Sequence, residues 1–212
     1  MCKKLMLLCC LLLLSGCQKM VDNENYIESV NVCLNDKTKS NNVSQGYKYY
    51  LPKGVKKIQD YDYNQIFLID DYNVYLYVDI ISYFYEKNLQ NVEVEDDIYY
   101  YETIDYNGKK GYIKIKEVHE DNYFINIVYH YSKIEATVPK DKLNKVITLS
   151  SIILNSIEYN DSVIEKILEG DFGEFSEFNY EVDKPEGASS NFSQILEEYV
   201  QKEESTEQLP DE

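Results

Sequence analysis

Residues 98–131 read IYYYETIDYNGKKGYIKIKEVHEDNYFINIVYHY. Three stretches rich in β-branched and aromatic residues are separated here by two turn signals. Ile98 to Tyr106 is predicted to meet Tyr112 to Val118 across Asn107-Gly108-Lys109-Lys110-Gly111, where Asn-Gly is a strong hairpin signal. Tyr112 to Val118 is predicted to meet Tyr123 to Tyr131 across Glu120-Asp121-Asn122. Alternation then sets the register. If odd residues pair with odd, Ile113 and Ile115 share a face with Ile125, Ile127, Tyr129 and Tyr131. A slip of one residue would split this apolar set between the two faces. On this reading the first hairpin adds Tyr99, Tyr101 and Thr103 to the same face. The other face carries Lys114, Lys116, Asn126 and His130, mixed with Tyr100, Ile104 and Val128.

Working outward, Tyr47 to Leu51 reads as a strand ended by Pro52 and Gly54. Ile66 to Ile69 and Val74 to Ile81 read as a strand pair across Asp70-Asp71-Tyr72-Asn73. Residues 82–90 fit either a strand end or a short helix. Pro139 opens a helix with Asp141 in its first turn. Leu143, Val146, Ile147, Ile153, Leu154 and Ile157 form its apolar stripe. Ser156 to Tyr159 returns as an edge strand. The fold class is α+β: an antiparallel meander packed by at least one carboxy-terminal helix.

Before this domain, Val30, Val32 and Leu34 read as one weak strand, and residues 35–46 as a loop. The segment 17–46 is thus assigned as a tether, and the α+β domain to 47–160. A fully flexible 18–46 would reach about 30 Å as a coil. After the domain the composition shifts. Residues 161–212 hold sixteen acids and three lysines, a net of −13, within a chain of net charge −17. Ser162-Val163-Ile164-Glu165 fits a capping box for a short helix that stops at Gly170. Phe172, Phe175 and Phe178 follow at intervals of three. Phe192, Ile195, Leu196, Tyr199 and Val200 then lie on one helical face, the candidate partner-binding stripe. It can dock on its own domain or in a groove of another protein. Residues 161–200 read as an acidic segment with short amphipathic helices, and 201–212 as a disordered acidic tail.

The amino terminus carries the most specific motif. Lys3 and Lys4 precede an unbroken apolar run from Leu5 to Leu14, too short for the roughly 20 residues that cross a bilayer. Leu14-Ser15-Gly16-Cys17 follows at once. These residues resemble the bacterial lipoprotein signal, with its lipobox of Leu, Ser or Ala, Gly or Ala, then Cys. The resemblance covers residues 1–17. It implies cleavage between Gly16 and Cys17 and a diacylglycerol group on the Cys17 thiol. Two acyl chains make a stable anchor where one binds reversibly. The implied address is the extracytoplasmic face of a cell membrane, and the low-GC character of the composition points to a Gram-positive envelope. The layout of 47–159 also resembles the PsbP-like fold. There an extended segment ends near a proline, as in Gly46-Tyr47-Lys48-Tyr49-Tyr50-Leu51-Pro52, and a helix leads into a short strand, as in 146–157. Members are mostly non-enzymatic accessory proteins, and some are lipoproteins.

Composition limits the chemistry. All 21 basic residues are lysine, so the bidentate arginine clamps that read phosphate and carboxylate are missing. The net acidity argues against nucleic acid as a partner. Once Cys17 is acylated, Cys33 is the only free thiol of the processed chain and reads as a packing thiol. His119 and His130, placed opposite Tyr112, fall about 23 Å apart and share no relay. Asp60, Asp62, Asn64 and Asp71 imitate an EF-hand loop, with Gln65 where glycine is required. A looser calcium site on Asp60, Asp62, Asp70 or Asp71 is the alternative to a set of solvated turn acids. Eighteen of the 22 tyrosines lie between Tyr47 and Tyr131. They fit either a glycan or small-molecule surface or plain strand propensity. No catalytic residue, metal site or cofactor is assigned beyond the lipid on Cys17. The expected role is a non-enzymatic, membrane-tethered binding or adaptor protein with an envelope-protein partner. A glycan- or small-molecule-binding lipoprotein is the alternative, and a cell-wall hydrolase a further one.

Overall fold

The computed structural model describes residues 25–87, 98–119 and 121–170. The chain forms helix α1 (Tyr26–Asn35), strands β1 (Asn42–Ser44), β2 (Tyr47–Tyr49), β3 (Val55–Tyr61), β4 (Asn64–Ile69) and β5 (Tyr72–Val78), and helix α2 (Ile80–Phe84). Strands β6 (Tyr100–Tyr106), β7 (Lys109–His119), β8 (Asn122–Tyr129) and β9 (Ser132–Pro139) follow. Helix α3 (Leu143–Asn155), strand β10 (Glu158–Tyr159) and helix α4 (Asp161–Leu168) complete the order. The class is α+β. Seven antiparallel strands make one sheet in the order β3-β4-β5-β9-β8-β7-β6, and β1-β2-β10 make a smaller one. Among the described residues no helix is long and apolar enough to cross a membrane.

The second hairpin keeps the expected parity. Ile113 pairs with Ile127 and Ile115 with Ile125. The first hairpin does not. Its turn is only Asn107-Gly108, both in the left-handed region at φ 53° and 76°, as a two-residue type I′ turn requires. Lys109 therefore pairs with Tyr106, Gly111 with Ile104 and Ile113 with Glu102. Tyr100 and Ile104, not Tyr99, Tyr101 and Thr103, share the face of Ile113, and Ile104 is buried there. Tyr131 also leaves that face, because His130 and Tyr131 form the β8–β9 turn at φ 46° and 63°.

The expected strand around Val30 is a helix. Tyr26, Val30, Cys33 and Leu34 are its buried residues, spaced i, i+4, i+7 and i+8, while Val32 is 66% exposed. Helix α1 packs on α3, so the folded domain begins near Tyr26 and the assignment of 17–46 as tether is corrected. The Asn155 side chain donates to the carbonyls of Cys33, Leu34 and Asp36 at 3.1, 3.3 and 2.9 Å, tying the end of α1 to α3. Helix α3 covers β8 and β9. Its Leu143, Val146, Ile147, Ile153 and Leu154 join Ile113, Ile125, Ile127, Ile134 and Ala136 in one continuous core. Helix α4 is capped by the Asn160 carboxamide, which accepts from Val163 N, not by Ser162. Ile164 and Ile167 of α4 close on Gly46, where a Cβ would stand 2.9 Å from Ile164.

Candidate binding face

Strand β9 runs through the middle of the large sheet, between β5 and β8. Its Ile134, Ala136 and Val138 enter the helical core. Its alternate residues, Lys133, Glu135 and Thr137, therefore point to the other face. Register extends that face sideways. Tyr75 lies opposite Glu135 and Tyr77 opposite Lys133. Phe124, Asn126 and Val128 flank them on β8, followed by Tyr112, Lys114 and Lys116 on β7 and Tyr101 on β6.

A charged pair holds the centre of this face. Lys133 Nζ lies 2.9 Å from Glu135 Oε1, and the two side chains are only 5% and 2% exposed. The same ammonium stands over the Tyr77 ring, a cation–π contact strengthened by desolvation. Burial, with Glu135 adding to it, pushes the Tyr112 hydroxyl well above the usual tyrosine range, so it stays a neutral donor. The Asn126 carboxamide oxygen is buried with no hydrogen-bond partner among the described residues. The face combines aromatic surface, directed polar groups and low dielectric.

A second feature is a cleft of about 270 Å³ bounded by the end of α1, the β6–β7 turn and the end of α3. Tyr106, Lys109, Tyr129 and Glu158 line it. Its volume falls just below the range of small-molecule sites, about 300–1,000 Å³. Burial lowers the Lys109 ammonium pKa, against the pull of Glu158.

The remaining sequence-level candidates separate in space. His119 ends β7, and His130 sits in the β8–β9 turn, its N–H donating to Lys110 O rather than facing Tyr112. The His130 ring packs against Tyr83, Tyr131 and Tyr159. Burial, then Lys109, lowers its pKa to about 4. Asp60 and Asp62 flank one end of β4, and Asp70 and Asp71 the other. Six residues of strand span about 20 Å, so the EF-hand and looser calcium readings lose their convergence. Among the described residues no group of three His, Cys, Asp or Glu is arranged to hold a metal ion. Cys33 is buried with its thiol 3.6 Å from Thr148 O. Burial, then Asp36, pushes its pKa up, opposite to what a reactive thiolate needs. Gly16, Cys17 and the stripe Phe192, Ile195, Leu196, Tyr199 and Val200 lie outside the described residues.

The buried pair on β9 was missed by sequence reading. Its signal was present, since Lys133 and Glu135 alternate with Ile134, Ala136 and Val138. Charged residues in alternation read as the wet side of a strand, and sequence alone does not show that this side is covered.

No family model matches the chain, and no curated protein matches it. Among solved structures, it is similar to a crystal structure from Bacteroides thetaiotaomicron at 12% identity and a TM-score of 0.36. The match covers 59% of this chain and 49% of that one, so the chain spans about half the length of this neighbour.

Proposed function

We propose that this chain is an exported lipoprotein, held at the outer face of the cell membrane by diacylglycerol on Cys17, where it acts as a non-enzymatic binding or adaptor protein. The observation that carries this reading is Leu14-Ser15-Gly16-Cys17, set directly behind Lys3, Lys4 and the apolar run 5–14. The start of α1 at Tyr26 adds to it. Only residues 18–25 separate the acylated cysteine from the folded domain. Eight residues can reach at most about 29 Å even when fully extended, which bounds how far the domain can stand from the headgroups. A second reading, a glycan- or small-molecule-binding lipoprotein, is favoured by the partly exposed Tyr75, Tyr101 and Tyr112 on one sheet face. The test is metabolic labelling with an alkyne fatty acid, followed by membrane fractionation. Labelled, shortened, membrane-bound protein is expected for the parent chain, and unlabelled, uncleaved chain for Cys17→Ala. Normal cleavage and retention of Cys17→Ala would overturn the anchor.

A further inference from the structure

The large sheet buries side chains at the centre of both its faces, yet the described helices account for only one. Helices α1, α2, α3 and α4 all contribute buried residues to the core that contains Ile113, Ile125, Ile127 and Ile134. Ile66, Tyr77, Phe124 and Val128 stand outside that core, and are still only 7%, 8%, 2% and 5% exposed. Register puts all four on the opposite face, together with the buried Lys133–Glu135 pair. They extend from β4 to β8, three strand spacings or about 14 Å across. A bare sheet face would leave such central side chains open to water.

We propose that residues 171–200 of this same chain fold back over that face and seat Phe192, Ile195, Leu196, Tyr199 and Val200 against it. Charge agrees. At register positions on this face Lys56, Lys110, Lys114, Lys116 and Lys133 stand against Asp105 and Glu135, a positive patch on a chain of net −17. Residues 171–200 carry eight acids and one lysine. Reach agrees too, since thirty extended residues can span about 100 Å. The connection 88–97 offers only Leu89, Val92 and Val94 as apolar residues and no aromatic ring, too little to cover four side chains on three strands. The inference stands whether or not Cys17 is acylated, so its failure and the failure of the anchor are separate results. It joins the two contacts the sequence offers, stripe and tyrosine face, into one. A partner that takes either must first displace the other.

The test uses the full-length chain with a photocrosslinking phenylalanine in place of Tyr75, irradiated as a mixture of isotopically heavy and light protein. Crosslinks from position 75 into residues 171–200 of the same copy are expected. Crosslinks confined to 88–97, to a second copy or to another protein, or none, would overturn the inference. A chain ended after Gly170 supplies a second measurement. Nitration of Tyr77 is expected to become several-fold faster, and an unchanged rate in a folded truncate counts against the proposal. If the truncate does not fold, the crosslinking result on the intact chain decides alone.

Discussion

The ammonium of Lys133 lies 4.3 Å from the centre of the Tyr77 ring, directly across the β5–β9 ladder. That contact and the bond to Glu135 place a cation in a site almost closed to water. Removing one member of a buried pair strands the other charge, at a cost of about 3–5 kcal/mol. Lys133→Met is therefore expected to lower unfolding free energy by that order, and Glu135→Leu likewise. The double substitution is expected to cost less than either single one, because no charge is left uncompensated. Urea unfolding of the three variants measures this, and strictly additive losses would contradict it.

His130 predicts a pH dependence. The imidazole titrates near 6.5 when free and near 4 in the folded chain, first through burial and then through Lys109. Between those values the unfolded state binds more protons, so stability rises with pH across the window. The contribution is fully present above about 6.5 and is lost as pH falls toward 4. Asparagine tolerates the left-handed φ of 46° at this position. His130→Asn should flatten the stability profile between pH 6.5 and 4 relative to the parent, read by thermal unfolding across that range.

Asp79 behaves oppositely. Its Oδ1 accepts from Ser82 N at 2.8 Å, capping α2. Burial nevertheless raises its pKa, outweighing the hydrogen bonds and Lys87. A raised carboxyl is penalised once ionised, so the penalty is present at neutral pH and relieved as pH falls through the folded pKa. Asp79→Asn keeps an oxygen for the cap and drops the charge. It is expected to match or exceed parent stability at pH 7, with its advantage shrinking in acid. Asp79→Ala, which loses the cap, should be about 1 kcal/mol less stable than Asp79→Asn.

Two glycines of one hairpin should differ sharply. A Cβ at Gly111 would stand 2.0 Å from the Val128 carbonyl oxygen, in backbone that cannot swing aside. Gly111→Ala is expected to cost about 3 kcal/mol, the upper range for overpacking. At Gly108 nothing lies within 4 Å, and only its φ of +76° opposes a side chain. Gly108→Ala should cost about 1–2 kcal/mol. Chemical denaturation ranks the two, and the reverse order would contradict this account.

Much of the central meander was legible because Ile113, Ile115, Ile125 and Ile127 allow only one parity. The hairpin before it was misread by a single fact of turn length. Five residues between strands preserve odd-with-odd pairing, whereas two residues reverse it, and both fit Asn107-Gly108-Lys109-Lys110-Gly111. Helix α1 was misread because Val30 and Leu34 satisfy a period of two as well as a stripe at i and i+4. The exposure of Val32 decides between them. Strand β3 was passed over because it is an edge strand with only Val55 buried, and lysines suit an edge. Its bulge between Lys57 and Gln59 further breaks alternation. The binding face was illegible for a different reason: its lysines and tyrosines look solvent-facing until the other side of β9 is seen to be buried.

The position of β9 governs how such a chain assembles. Strands β3 to β5 can zip together from neighbouring sequence, as can β6 to β8, but each group is left with one bare side. The strand that joins them is the last of the seven to be made, and meets β5 across separations of 54 to 62 residues. Closure therefore depends on a non-local encounter, which slows folding. A chain delivered amino end first remains two half-sheets with open hydrogen-bonding edges until Pro139 has emerged, and this interval is when it most needs protection from pairing with its neighbours.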